Sequence, residues 1–232
     1  MESNDQNIRT IDEIEKLADE FNLTYFSANN ENSITLPVPV EDIAEHYLGY
    51  QIDFVNEGLF SDPEILGGID FDENKIYVNA SVEDHDGRYA FTIAHEIGHH
   101  VLHRDAYLKE NLEGKKEILC RDARNKPRIE LEADRFAAAL LMPAQSVRDI
   151  LSQVNSSQKV KTIGQARGLA SKIIKEGELN NVSNTAMVNR LIDLRVISDY
   201  IGYQKGINSQ HSKLSVFSYL TYRLRKLIKL SR

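Results

Sequence analysis

Residues 95–99 read His-Glu-Ile-Gly-His, and this pentapeptide constrains the fold more than any other stretch of the chain. Histidines four residues apart project from one face of an α-helix, because a turn takes 3.6 residues. Two imidazoles so placed can chelate one metal ion without bending the backbone. Glu96 lies one step round the helix, where its carboxylate reaches a water at such an ion without becoming a ligand. Two neutral nitrogen ligands, an open coordination position and a neighbouring base are what a hydrolytic zinc centre requires. The alternative is a surface helix that happens to carry histidines. The flanking pattern argues against it: Tyr89–Ala94, then Ile97, Val101 and Leu102, have the apolar spacing of a buried helix.

A catalytic zinc takes three protein ligands. His85, His100 and His103 lie close by. His103 is one turn beyond His99 on the ligand face, but three imidazoles along a straight helix span too much rise to close round one ion. An extended three-histidine motif would need Gly at 102 and His at 105, and the chain has Leu102 and Asp105. His103 is therefore expected to pack beside the ligands and support them, and His100 to point away and be exposed. The candidate third ligand is Glu130, at the start of a helical run that ends at Met142-Pro143. Glu130 and Asp134 share a helix face. Glu130 reads as a ligand and Asp134 as the acceptor for the ring N–H of a ligand histidine; the alternative for both is a solvated acidic face. Glu132 faces elsewhere and is expected to be a solvated charge.

The blocks Phe91–His99, Leu102-His103 and Glu130–Pro143 resemble the ImmA/IrrE metallopeptidases. Weaker similarities lie in Leu36–Ala44, Gly67-Gly68, Lys75–Asn79 and Val182–Leu194, so the resemblance covers roughly residues 36–196. It implies an α+β fold: a mostly helical, zincin-like domain with a small three-stranded sheet, followed by a C-terminal helical region. It also implies zinc on His95, His99 and Glu130, with Glu96 as the catalytic residue. The family resembles regulatory proteases that cut helix-turn-helix repressors. This chain departs from the pattern at Ala90, where a basic residue is usual, at a polar insertion over about 104–128, and at Leu194-Arg195-Val196, which replaces a Leu-Gly ending.

With 232 residues and 41% hydrophobic content, the chain is long enough for one large domain and an appendage. The reading divides it into an N-terminal helix and polar loop (1–35), a metallopeptidase domain (36–155), a helical region (156–200), and a linker with a basic amphipathic helix (201–232). Helices are expected over Ile11–Phe21, Val40–Tyr47, Asp86–His103, Ile129–Met142, Pro143–Val154, Ile163–Ile174 and Asn184–Ile197. Strands are expected over Gln51–Val55, Glu64–Phe71 and Lys75–Asn79.

The net charge of −7 is uneven: beyond Asp199 there are seven cations and no acids, which leaves −14 on the remainder. An acidic body argues against nucleic acid as its ligand. The basic segment reads as one that packs on that body, binds a partner protein or lies on an anionic membrane surface. The polar start, the lack of an apolar run long enough to span a bilayer, and the single cysteine, Cys120, point to a reducing cytoplasm. Cys120 reads as an ordinary residue of the insertion rather than a redox latch on the metal.

The metal motif describes a zinc-dependent endopeptidase, and the resemblance implies that it acts on a helix-turn-helix repressor or an antitoxin-like protein. The rival is a regulatory binding protein that grips its partner without cutting it, with a structural or vestigial zinc. Glu96 counts against the rival, because a structural site has no need of it. A small-molecule hydrolase would share the same ligands.

Overall fold

The computed structural model describes residues 9–55, 66–83, 85–112, 126–154 and 160–197. Cys120, most of the insertion and the basic segment 201–232 lie outside them. The described elements are α1 (Ile11–Ala28), α2 (Val40–Asp42) continuing into a π-helical turn (Ile43–Tyr47), β1 (Gln51–Val55), β2 (Gly67–Asp70), β3 (Lys75–Asn79), α3 (Asp86–Leu112), α4 (Lys126–Leu141), α5 (Ala144–Gln153), α6 (Ile163–Glu176) and α7 (Asn184–Asp193). This is the mostly helical α+β architecture with a three-stranded sheet that the sequence implies. No helix among the described residues is long and apolar enough to cross a membrane.

The sheet is mixed, in the order β1-β3-β2. β2 and β3 form an antiparallel hairpin with Ile69 opposite Ile76, while β1 runs parallel to β3 with Ile52 opposite Ile76. The hairpin turn is set by Asp70, whose Oδ1 accepts from the backbone N–H groups of Asp72 and Glu73 at 2.9 Å, and by Asn74, which takes a left-handed φ of 53°. Ile76 and Val78 alternate onto the buried face of β3, and β2 and β3 both lie against α3.

The metal-motif helix α3 is the spine of the molecule. Ile93, Ile97 and, from α4, Phe136 and Leu140 are fully buried in a continuous core. α4 packs along α3, and the two helices are in close contact at Gly98. A Cβ there would stand 3.0 Å from the Ala133 carbonyl oxygen and 3.3 Å from the Phe136 Cβ. On the other side of α4 lies α1, where the Phe21 ring meets Phe136 edge-on at 6.0 Å. Asn22 Nδ2 donates to the Leu140 carbonyl at 3.1 Å. Arg190 of α7, buried, ties α7 to α1 and to the α4–α5 link: it forks onto both carboxylate oxygens of Glu15 in α1 and donates through Nε to Met142 O at 2.9 Å.

Two helices run further than local sequence indicates. α1 does not stop at Phe21, although Asn22, Thr24 and Ser27 are weak helix formers, because Asn22, Tyr25 and Phe26 are all buried against neighbouring elements. Its start is fixed by a capping box between Thr10 and Glu13. α3 continues to Leu112, so the first part of the expected insertion is helical. Tyr107 anchors it there, packing on Phe71 with ring centroids 5.0 Å apart and donating to Asp72 Oδ2 at 3.2 Å.

α7 ends earlier than expected, at Asp193. Arg195 takes a left-handed φ of 58°, with Arg195 N–H on Ile192 O and Val196 N–H on Leu191 O, both at 2.9 Å. This is the helix-ending turn in which glycine is favoured. Position 195 therefore explains why a Leu-Gly ending suits this place: the turn is kept here by an arginine.

Candidate metal centre

His95 and His99 stand one turn apart on α3, and both rings are directed towards α4. Their Nε2 atoms are 3.0 Å apart. Glu130 comes from the first turns of α4, with Oε2 3.2 Å from His95 Nε2 and Oε1 3.5 Å from His99 Nε2. Ligands bound at 2.0–2.1 Å to a tetrahedral zinc stand about 3.3 Å from one another. The three observed separations bracket that spacing. Among the described residues this is the one group of three that could hold a metal ion.

The ring atoms that face away from the cluster are also engaged. His95 Nδ1 lies 2.7 Å from Asp134 Oδ1, where it donates to the carboxylate and leaves Nε2 as the ring atom that faces Glu130. Burial works against charge on His95, but Asp134 and Glu130 together outweigh it and hold its pKa well above the usual histidine range. His99 has no such acid at its Nδ1. Burial, with the neighbouring His95, pushes its pKa down to about 3, so it is a neutral donor atom at any ordinary pH. His99 Nδ1 meets His103 Nδ1 at 3.1 Å.

Glu96 is buried beside the two histidines. Burial, against the opposing influence of His95 and with help from Glu130 and Asp134, raises its pKa to about 8. A cation among His95, His99 and Glu130 would favour the carboxylate over the acid. Gly67, the first residue of β2, passes directly over it: a Cβ at 67 would lie 2.4 Å from Thr92 Cγ2 and 3.0 Å from Glu96 Oε1. The start of the outer strand therefore abuts the motif glutamate because position 67 carries no side chain.

Residues 56–173 match the family model of the IrrE N-terminal-like domain, Peptidase_M78. The chain belongs to this family. The match spans β2, β3, α3, α4, α5 and most of α6, and it places the motif helix of this M78 protein within a metallopeptidase family. No curated protein matches the chain.

The structure brings His95, His99, Glu130, Glu96 and Asp134 into one site, with His103 next to it but not among the converging ligand atoms. Two expectations need correction. Glu132 is not a solvated charge: it is buried, with Oε2 3.4 Å from His103 Nε2 and 3.0 Å from Arg9 Nη1. Burial pushes its pKa up, but the bonds from His103 and Arg9 outweigh this and hold it below the usual carboxylate range. His100 is not exposed either: its Nδ1 pairs with the Tyr50 hydroxyl at 2.8 Å, and the rings meet edge-on. The helical offset correctly separates both residues from the ligand face. It cannot say what packs on the face to which they are turned. No local sequence signal marks Arg9, Gly67 or Gly98 for the site, because each acts through a contact distant in sequence.

Proposed function

We propose that this M78 protein is a zinc-dependent endopeptidase whose substrate is a regulatory protein of the helix-turn-helix repressor or antitoxin-like class. The observation that carries the catalytic part is the convergence of His95, His99 and Glu130 with Glu96 buried alongside. His95, His99 and Glu130 would hold the zinc, which when bound supplies a Lewis acid for the scissile carbonyl and a water of near-neutral pKa. Glu96 takes the proton of the attacking water and delivers it to the leaving nitrogen. Asp134 fixes the tautomer of His95 through its Nδ1–H.

A polypeptide substrate suits the surroundings. Among the described residues β2 is an outer strand of the sheet and pairs on one side with β3. Its first residue lies against Glu96. An extended peptide alongside that edge would be gripped by main-chain hydrogen bonds close to the general base. The choice of a repressor or antitoxin as substrate is supported by the family resemblance alone.

The test is incubation of the zinc-loaded protein with the helix-turn-helix regulator encoded in the adjacent reading frame. Fragments should form, and their formation should stop with a chelator or with Glu96→Gln. A stable complex that forms with zinc present and is never cleaved would instead establish the binding-protein reading.

A further inference from the structure

Behind His99 a chain of buried polar groups leads away from the ligand cluster. His99 Nδ1 is 3.1 Å from His103 Nδ1, His103 Nε2 is 3.4 Å from Glu132 Oε2, and the same oxygen is 3.0 Å from Arg9 Nη1. Arg9 Nη2 donates to the Leu102 carbonyl of α3 at 2.7 Å. His103 and Glu132 are buried, and Arg9 stands immediately before Thr10, the N-cap of α1. The pairing of two imidazoles allows only two proton arrangements, since one Nδ1 must donate and the other accept. A metal on His99 Nε2 selects between them. The neutral ring then carries its proton on Nδ1 and donates to His103. His103 must keep its own proton on Nε2, aimed at Glu132. Glu132 as a carboxylate accepts it, and Arg9 stabilises that carboxylate.

We propose that His103, Glu132 and Arg9 form a proton-ordered relay that fixes the tautomer of His99, and that metal affinity thereby depends on the docking of the residue preceding α1. This rests on the metal-site reading given above and extends it to the segment before α1, remote in sequence but in contact with α3 and α4. His95 needs a single acid, Asp134, to orient it. His99 is oriented by a histidine that must itself be oriented, and the last group in the line belongs to a segment some ninety residues earlier in the chain. By linkage, a bound metal holds Arg9 in place to the same degree that docked Arg9 holds the metal. The three are positioning residues: none of their atoms belongs to the ligand cluster.

The experiment is zinc competition against a chromophoric chelator on the full chain. Removing an outer partner of a metal-bound histidine weakens affinity about 10–100-fold, so His103→Phe should fall in that range. Arg9→Ala should lose several-fold, since Arg128 Nε remains 3.5 Å from Glu132 Oε1, and Arg9→Lys should recover part of the loss. The double variant Arg9→Ala/His103→Phe should bind zinc no more weakly than His103→Phe alone, because both changes cut one line. Glu15→Ala, which breaks the α1–α7 pairing with Arg190, should lower the melting temperature of the metal-free protein and leave zinc affinity unchanged. Wild-type affinity in Arg9→Ala, or losses that add in the double variant, would overturn the relay alone. A wild-type protein that binds no zinc would overturn the metal site and the relay together.

Discussion

Gly98 lies directly against Ala133: a methyl group at position 98 would stand 3.0 Å from the Ala133 carbonyl oxygen and 3.1 Å from its Cα. The contact sets the spacing of α3 and α4, and hence the reach of Glu130 to His95 and His99. Alanine is worth up to about 1 kcal/mol over glycine in a helix interior. Overpacking against backbone costs about 1–3 kcal/mol, so the steric cost prevails. Gly98→Ala should lose about 1 kcal/mol in denaturant unfolding and weaken zinc binding at the same time. Unchanged stability and affinity would mean that the two helices have room to spare.

Glu96→Gln removes the group that moves the proton and keeps a side chain of similar shape in the buried site. General acid–base catalysis contributes about 10²–10⁴-fold. Peptide cleavage should fall by at least that range while zinc stoichiometry stays at one per chain. A Glu96→Gln protein that cleaves at the wild-type rate would remove Glu96 from the reaction.

Metal removal is expected to destabilise the fold, because His95 and His99 on α3 and Glu130 on α4 join two helices at the centre of the molecule. A ligand at 100 times its dissociation constant stabilises the native state by about 2.7 kcal/mol. Chelation should therefore lower the melting temperature by several degrees, and re-addition of zinc should restore it. In Glu130→Ala and in His95→Ala the zinc-dependent part of the shift should vanish. Persistence of the full shift in either variant would show that the ion binds elsewhere.

Gly67→Ala tests the contact between the outer strand and the motif helix. The added methyl would meet Thr92 Cγ2 at 2.4 Å and Glu96 Oε1 at 3.0 Å, so β2 or the glutamate must move. Zinc affinity should be retained, since the atoms nearest to the added methyl belong to Thr92, Glu96 and Tyr77 and not to the three ligands. Cleavage should fall by about tenfold or more, the scale of effect that a small misplacement of reacting groups produces. Full activity would show that strand and glutamate are not held to each other.

Arg190 is among the largest fully buried side chains of the described residues, and its guanidinium forks onto Glu15. Breaking a buried pair by removing one partner costs about 3–5 kcal/mol. Glu15 is partly exposed, and Arg190 keeps the Met142 carbonyl, so Glu15→Ala should cost about 3 kcal/mol or less in chemical denaturation. A loss below about 0.5 kcal/mol, the range of ordinary surface substitutions, would show that water replaces the carboxylate without penalty.

Helical periodicity made much of this protein legible from its letters. Spacing of four puts His95 with His99, and Glu130 with Asp134, on shared faces, whatever the rest of the chain does. Asp72-Glu73-Asn74, between the expected strands Glu64–Phe71 and Lys75–Asn79, has the composition of a turn. Both signals are local, so they survive in any fold that contains the segment. Helix ends were less legible. Asn22 and Thr24 signal an end that burial of Tyr25 and Phe26 overrides, and Arg195 ends α7 in a conformation that a glycine would have announced.

The sequence by itself determined which side chains can act together along one helix, and with them the metal motif and its general base. Only the tertiary structure decided what meets the other faces. Glu132 lies two residues from Glu130 and so points elsewhere; whether elsewhere is water or protein depends on how α4 lies along α3 and where the segment before α1 docks. The structure answers with His103 on one side and Arg9 on the other. The physical reason is the range of the forces: backbone geometry fixes neighbours within a turn or two, whereas burial and charge pairing are settled only when distant segments exclude water between them.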